Sequence, residues 1–443
     1  MSSEPAHIWP RVGLRAASTS KACFTGVLAT GLMLAMSPVD VRPVYAQDSA
    51  DKQATPAASD NAKTTAADVQ QVPILYLKQQ REKNLPLSLL DLPPSDEGIA
   101  GAKLGIADNN TTGQFTKQNF TLDVIESANV DDLIKAAVEK VPQTSGFIAA
   151  DMAPDALLKL ADALAGKDAV VMNVGNPDDS LREENCRANM LHLAPTRSML
   201  ADALGQYLAW KRWNNWFLIV GPQQEDKLYA DALRRAAKRF GSKIVEEREF
   251  KYEGGSRRAD GGFEQVQQQI PGFTQGAKEH DIVMVADEGN LFGDYIPYRT
   301  WSPRPVAGTT GLVATSWHPA VELWGGTQFQ NRFKRLADRI MRPTDYDAWL
   351  AMRVVGEAAT RTKSNKFADL NQFVHSPNFE VAAFKGVKTT FRSWNGQLRE
   401  PIIVATPKLL VSVSPQPGFL HQTSVLDTLG YDKPETKCKA YAK

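Results

Sequence analysis

Six polar residues stand at or just beyond the ends of short apolar runs. Asp151 follows 146–150, Asn173 and Asn176 close and follow 169–173, Gln223 follows 216–220, and Asp287 and Glu288 follow 282–286. Amides and carboxylates at the carboxyl ends of buried strands hold small polar ligands by hydrogen bonds, because helix N-termini and free backbone N–H groups converge there. A carboxylate such as Asp151 would repel an anion and suit a cationic or hydroxylated ligand. Asp178, Asp179, Glu183, Glu184, Asp287, Glu288 and Asp294 also offer the oxygen donors that a hard cation takes. No segment has calcium-loop spacing, however, and Asp178 and Asp179 equally suit the capping of a following helix. Catalytic patterns are missing: the sequence has no Gly-x-Gly-x-x-Gly, no Gly-x-x-x-x-Gly-Lys, no Gly-x-Ser-x-Gly and no His-x-x-x-His. The chain is therefore expected to bind rather than catalyse, with no cofactor.

Such residues need strands and helices in alternation to position them. Strands are predicted over 72–77, 120–125, 146–150, 169–173, 216–220, 243–250, 282–286 and 311–314. Helices are predicted over 96–109, 130–140, 154–165, 198–210, 226–240, 263–270, 324–341, 346–360 and 367–374. Short strands that are apolar on both faces, separated by amphipathic helices, indicate a mostly parallel sheet covered by helices. Residues 387–394 and 401–413 read as extended, with Asn395-Gly396 as a hairpin turn between them. Trp210, Trp213 and Trp216 have the spacing of a helix end packed on a strand.

The first 46 residues read differently. Arg11, Arg15 and Lys21 precede the apolar run 23–36, and Val44-Tyr45-Ala46 offers a cleavage site. That is the pattern of a secretory signal, with the mature chain starting near Gln47. Residues 47–71 are polar and lack aromatic side chains, which marks a flexible leader. Four basic and two acidic residues lie in the signal, so the remainder carries 47 basic against 48 acidic residues. A near-neutral chain without a basic block gives no footprint for nucleic acid. Of three cysteines only Cys186 and Cys438 follow the cleavage site. In an oxidising compartment they are expected to pair, the alternative being two separate buried thiols.

The order of elements resembles the type I periplasmic binding proteins of branched-chain amino-acid ABC transporters. Leu193-Ala194-Pro195-Thr196 and the helix, strand and helix that follow are similar to the family's crossing into its second lobe. Residues 343–349 resemble its return helix, and Phe391 to Gly396 its closing turn. The openings 74–77 and 96–103 resemble a subgroup associated with pyrroloquinoline-quinone (PQQ)-dependent alcohol oxidation. The resemblance implies an α/β fold of two Rossmann-like lobes with mostly parallel sheets, in the Venus-flytrap architecture. It divides the chain into signal 1–46, leader 47–71, lobe 1 over 72–197, lobe 2 over 198–312, a return to lobe 1 over 313–388, closing strands of lobe 2 over 389–413 and a tail over 414–443. It further implies a monomer in the periplasm that delivers a small molecule to a permease in the inner membrane. The alternatives are a lanthanide or metal-complex carrier for quinoprotein dehydrogenases and a periplasmic sensor. Where amino-acid-binding members present small hydroxyl residues, this sequence reads Ala149-Ala150-Asp151-Met152 and Asn173-Val174-Gly175-Asn176.

Overall fold

The computed structural model describes residues 69–81, 92–251 and 266–441. The expected signal and nearly all of the leader lie outside them. The first run of elements is β1 (Gln70–Gln79), α1 (Ile99–Thr116), β2 (Gln118–Ser127), α2 (Val130–Lys140), β3 (Phe147–Asp151), α3 (Pro154–Ala163), β4 (Val170–Asn173) and β5 (Met190–His192). Its five strands form a parallel sheet in the order β2-β1-β3-β4-β5. All five residues of β3 and all four of β4 are buried, as a sheet covered by helices on both faces requires.

The second run is α4 (Arg197–Lys211), β6 (Asn215–Val220), α5 (Gln224–Arg239), β7 (Lys243–Glu249), α6 (Val266–Thr274), β8 (Ile282–Ala286), α7 (Ile296–Arg299), β9 (Val306–Gly308) and β10 (Leu312–Thr315). The chain then returns through α8 (Gly326–Ala337), α9 (Pro343–Thr362) and α10 (Phe367–Val374). Gly101 lets α1 lie directly against α9, since a Cβ there would sit 1.8 Å from the Asp345 carbonyl oxygen. Three short strands follow, β11 (Val381–Ala382), β12 (Lys388–Phe391) and β13 (Leu398–Arg399), and then β14 (Ile402–Thr406) and β15 (Leu409–Ser414). The second sheet has the order β15-β14-β10-β9-β8-β6-β7, antiparallel only where β14 meets β10 and β15. Each large sheet carries apolar cores on both faces.

Two boundaries differ from expectation. Residues 389–399 do not join the second lobe: β12 and β13 form a small antiparallel sheet with β11, because Phe391 stacks on Phe379 against the core of the first lobe. Asn395-Gly396 therefore turns β12 into β13, and the extended stretch beyond it is its own hairpin of β14 and β15. The second sheet also runs to Thr315 rather than ending at 312. Of the three tryptophans, Trp216 is fully buried, with its indole N–H donating to the Trp213 carbonyl at 2.8 Å, whereas Trp210 is exposed.

Candidate ligand-binding cleft

The carboxyl ends of β3 and β4 form the rim of the first lobe. The Asn173 carboxamide oxygen accepts from the backbone N–H groups of Gly175 (3.3 Å) and Asn176 (2.9 Å), and its amide donates to the Asn176 carbonyl at 2.8 Å. Asn176 in turn donates to the Met152 carbonyl at 3.2 Å and accepts from Asp178 N at 3.0 Å. Both asparagines, expected to line a cleft, are instead consumed in folding the loop between β4 and β5, and both are buried. Gly175 lies against Asp151, whose Oδ1 a Cβ would meet at 2.7 Å. Asp151 is paired with Arg81 at 2.8 Å, and 39% of that arginine side chain is exposed. The pair is neutral, so Asp151 does not by itself repel an anion. Beside it the Tyr76 hydroxyl is buried without a hydrogen-bond partner among the described residues, and burial pushes its pKa up.

On the second lobe, Gln223 caps α5 and forms a reciprocal capping box with Asp226. The Asp226 carboxylate joins two loops by accepting from Gln223 N (3.0 Å), Glu288 N (2.6 Å) and Gly289 N (3.3 Å). Asp287 accepts from the N–H groups of Leu291, Phe292 and Gly293 at 2.9, 2.8 and 2.6 Å, which shapes the loop after β8. Burial raises its pKa and these three donors oppose the rise. Glu288 receives a two-pronged contact from Arg197, at 2.9 Å from Nε and 2.6 Å from Nη2. Burial raises the Glu288 pKa too, against the pull of Arg197. Asp287, Glu288, Asp294, Thr309, Thr310 and Tyr229 line a cavity of about 400 Å³.

Arg197 connects the two rims, since its Nη1 stands 3.8 Å from Asp178 on the first-lobe loop while Nη2 holds Glu288. Asp151, Asn173 and Asn176 therefore form one group, Gln223, Asp287 and Glu288 a second, and the arginine stands between them. Arg81, Arg197 and Asp226 were not singled out in the sequence. Arg197 had one signal, its place directly after the crossing at Thr196.

The carboxylates considered for a cation are mostly engaged elsewhere. Asp178 caps Ser180 N at 2.9 Å, Asp179 accepts from Ser198 N at 3.2 Å, and Glu183 accepts from Lys437 N at 2.6 Å. Among the described residues no three His, Cys, Asp or Glu side chains are grouped so as to hold a metal ion. Asp178, Asp179, Glu183 and Glu184 do line one crevice of about 200 Å³, together with Arg197 and Lys437. His318, just past β10, accepts from Ala320 N at 3.1 Å, and burial lowers its pKa.

The chain crosses between the lobes after β5, after β10 and after β13, and buried polar side chains bind each crossing. Arg182 donates to the carbonyls of Asn176, Asp178 and Ala194 at 2.9, 2.8 and 2.7 Å, and to Gln397 Oε1 at 2.9 Å. Ser316 donates to Asp347 at 3.2 Å. Lys385 pairs with Glu400 and donates to the Pro401 carbonyl at 3.0 Å. Burial, reinforced by Glu400, pushes the Asp347 pKa well above the carboxylate range.

Two five-to-seven-stranded α/β lobes, three crossings between them and polar loops at the facing strand ends form a recognisable whole. The fold is that of the type I periplasmic binding proteins. Residues 94–269 match the model of a periplasmic binding protein family. Among solved structures, a periplasmic binding protein from Burkholderia mallei superposes with a TM-score of 0.60 at 15% identity, covering 84% of this chain and 99% of that one. A branched-chain amino-acid ABC transporter ligand-binding protein from Burkholderia xenovorans gives 0.61 at 14% identity, over 77% and 95% of the two chains. A solute-binding protein of an ABC transporter from R. palustris, in complex with benzoate, gives 0.60 at 8% identity, over 83% and 99%. No curated protein matches the chain. In open α/β sheets ligands are taken at the carboxyl ends of the strands, where the loops after β3, β4 and β8 stand.

Proposed function

We propose that the protein is the solute-binding component of an ABC importer, working in the periplasm and closing two lobes around a small organic molecule before handing it to a permease. The observation that carries this reading is the arginine–carboxylate pair on each rim, Arg81 with Asp151 and Arg197 with Glu288. Each pair is neutral as a unit yet offers both donors and acceptors. The arrangement suits an uncharged, hydroxylated or zwitterionic solute better than a strongly anionic one. The family match and the solved transport proteins of the same fold support a carrier rather than an enzyme. A link to PQQ-dependent alcohol oxidation rests on the resemblance at 74–77 and 96–103 alone. A metal or metal-complex cargo would draw on the carboxylates of one of two cavities, Asp178 to Glu184 or Asp287, Glu288 and Asp294.

The test is thermal unfolding of the purified protein against amino acids, short alcohols and their acids, aromatic acids, calcium and a lanthanide. A solute that binds only the folded state stabilises it by about 2.7 kcal/mol at 100 times its dissociation constant. A selective rise with one organic class supports the proposal. A rise only with the lanthanide makes the cargo a metal rather than an organic solute, and turnover of any compound in the panel overturns the carrier reading.

A further inference from the structure

The carboxyl ends of β3 and β4 belong to the cleft, whereas the amino ends of β4 and β5 open on a different cavity, of about 1080 Å³. Its wall is made by Ala169 and Val170 at the start of β4, Asn189 just before β5, α10 from Phe367 to its cap at His375, the turn between β12 and β13, and the tail from Lys433 to Tyr441. β4 is four residues long, so about 10 Å of buried strand separates Val170 in this wall from Asn173 at the rim of the cleft.

Each part of the wall is fixed in place. Phe367 reaches the amino end of β3 because Gly146 admits it: a Cβ there would stand 2.4 Å from the Phe367 ring, whose centroid lies 5.9 Å from that of Phe147. The tail is fastened to the same lobe, since Cys438 is disulfide-bonded to Cys186, the pairing expected from the sequence, and the Tyr441 hydroxyl donates to the Met190 carbonyl. Trp394 is 9% exposed, with the guanidinium groups of Arg392 and Arg399 at 5.5 and 5.1 Å from its ring centroid. Buried Asp427 holds both arginines and so clamps the indole.

Charge and hydrogen bonding both bear on what such a wall can hold. Lys167, His375 and Lys433 line the cavity and, among the described residues, no Asp or Glu does, in a chain whose basic and acidic residues nearly balance. The His375 ring is oriented by its Nδ1, which donates to the Asn371 carbonyl at 2.9 Å. The indole N–H of Trp394 and the carboxamide oxygen of Asn371, both wall residues, are buried with no hydrogen-bond partner among the described residues. Buried polar atoms are normally hydrogen-bonded, so a donor and an acceptor left over in one wall point to a ligand that supplies the complement of each. Val170, Phe367, Trp394 and Tyr441 add apolar and aromatic surface, and the volume is that of pockets that take drug-sized molecules.

We propose that this cavity is a second small-molecule site, for an aromatic organic anion that also carries a hydrogen-bond donor. Lys167, Lys433 and His375 receive the anionic group, and the aromatic body lies against Phe367 and Trp394. The assignment does not depend on what the cleft holds, so this site and the transport reading stand or fall separately.

The experiment uses two fluorescent dyes of one shape: anilinonaphthalenesulfonate, an aromatic anion with an N–H, and phenylnaphthylamine, its uncharged counterpart. Each is titrated into the purified protein, into a Lys167→Glu with Lys433→Glu double variant and into Arg81→Ala. Both lysines are exposed, so their reversal should leave the fold intact by circular dichroism; should the double variant unfold, the two single reversals are read instead. The sulfonate should bind the unaltered protein saturably and the double variant about tenfold or more weakly, because two attractions become repulsions. Phenylnaphthylamine should not distinguish the two, and Arg81→Ala, altered in the cleft, should bind the sulfonate as the unaltered protein does. Failure of the sulfonate to saturate, equal sulfonate affinity in the double variant, an equal loss of both dyes, or a loss confined to Arg81→Ala overturns the proposal.

Discussion

At the rims of the cleft Arg81 pairs with Asp151 on one lobe and Arg197 with Glu288 on the other; 39% of the Arg81 side chain and 24% of Glu288 stay exposed, although Arg197 itself is buried. At the hinge the same residue types are buried and bind the crossings themselves: Arg182 and Gln397 at Ala194, Asp347 at Ser316, Lys385 at Glu400 and Pro401. The partly exposed Arg81–Asp151 pair can exchange a partner for a ligand at small cost, because water compensates either arrangement, whereas at buried Arg197 a ligand must itself take the place of Glu288 as acceptor. The hinge pairs cannot exchange, because a stranded charge in the interior has no substitute. The molecule therefore combines a hinge fixed at its crossing points with rims that are free to engage something else. The hinge is not fully satisfied, since Asp347 Oδ1, Glu400 Oε1 and His192 Nε2 are buried with no hydrogen-bond partner among the described residues.

Substitutions should separate the two regions. The largest effect is expected for Lys385→Met, which leaves Glu400 buried without its counter-charge and should cost about 3–5 kcal/mol in urea unfolding. Adding Glu400→Leu should recover most of that loss, and a double variant as unstable as the single one would break the account of the hinge. Next comes Asp202, where burial outweighs Arg235 and Arg239 and pushes the pKa up to about 6. A group whose folded pKa is raised contributes stability that is complete below its ordinary value near 3.8 and is lost as the pH rises through about 6. The unaltered protein should therefore lose about 1–3 kcal/mol relative to Asp202→Asn between about pH 4 and pH 6, measured by denaturant titration at each pH. A constant difference across that window would contradict it.

The rims should respond in binding instead. Arg197→Gln removes the group that spans Asp178 and Glu288 and should weaken the solute by about tenfold, roughly 1.4 kcal/mol. Arg81→Ala should have the smallest effect on folding, below about 1 kcal/mol as for other partly exposed pairs, while lowering affinity measurably by calorimetry. A rim substitution that unfolds the protein while leaving affinity intact would erase the distinction between the two regions.

Much of this architecture was legible in the residues. The ends of α2, β8 and α10 fall where apolar periodicity places them, because each has a run long enough to show its period. β5 and β9 were not foreseen: three residues hold no period, and only their neighbours in the sheets make them strands. Residues 401–413 read as one extended stretch facing 387–394 because Asn395-Gly396 is the stronger turn signal, whereas Pro407-Lys408 makes a second turn that splits the stretch into β14 and β15. At the site, strand ends pointed to the correct loops but not to the working atoms. Asn173 and Asn176 are occupied by backbone groups three residues away or less and by Met152, while Arg81 and Arg197 meet partners 70 and 91 residues distant. Pairing over such distances leaves no trace in local spacing.

The most direct test of the central claim is scattering from the protein with and without a saturating solute chosen by thermal unfolding, repeated with Arg81→Ala and Arg197→Gln. The account predicts that the solute shrinks the radius of gyration of the unaltered protein and that both variants need a higher solute concentration for the same change. A solute that stabilises the fold while leaving the radius and both variants' affinities unchanged would contradict it, placing the ligand outside the cleft.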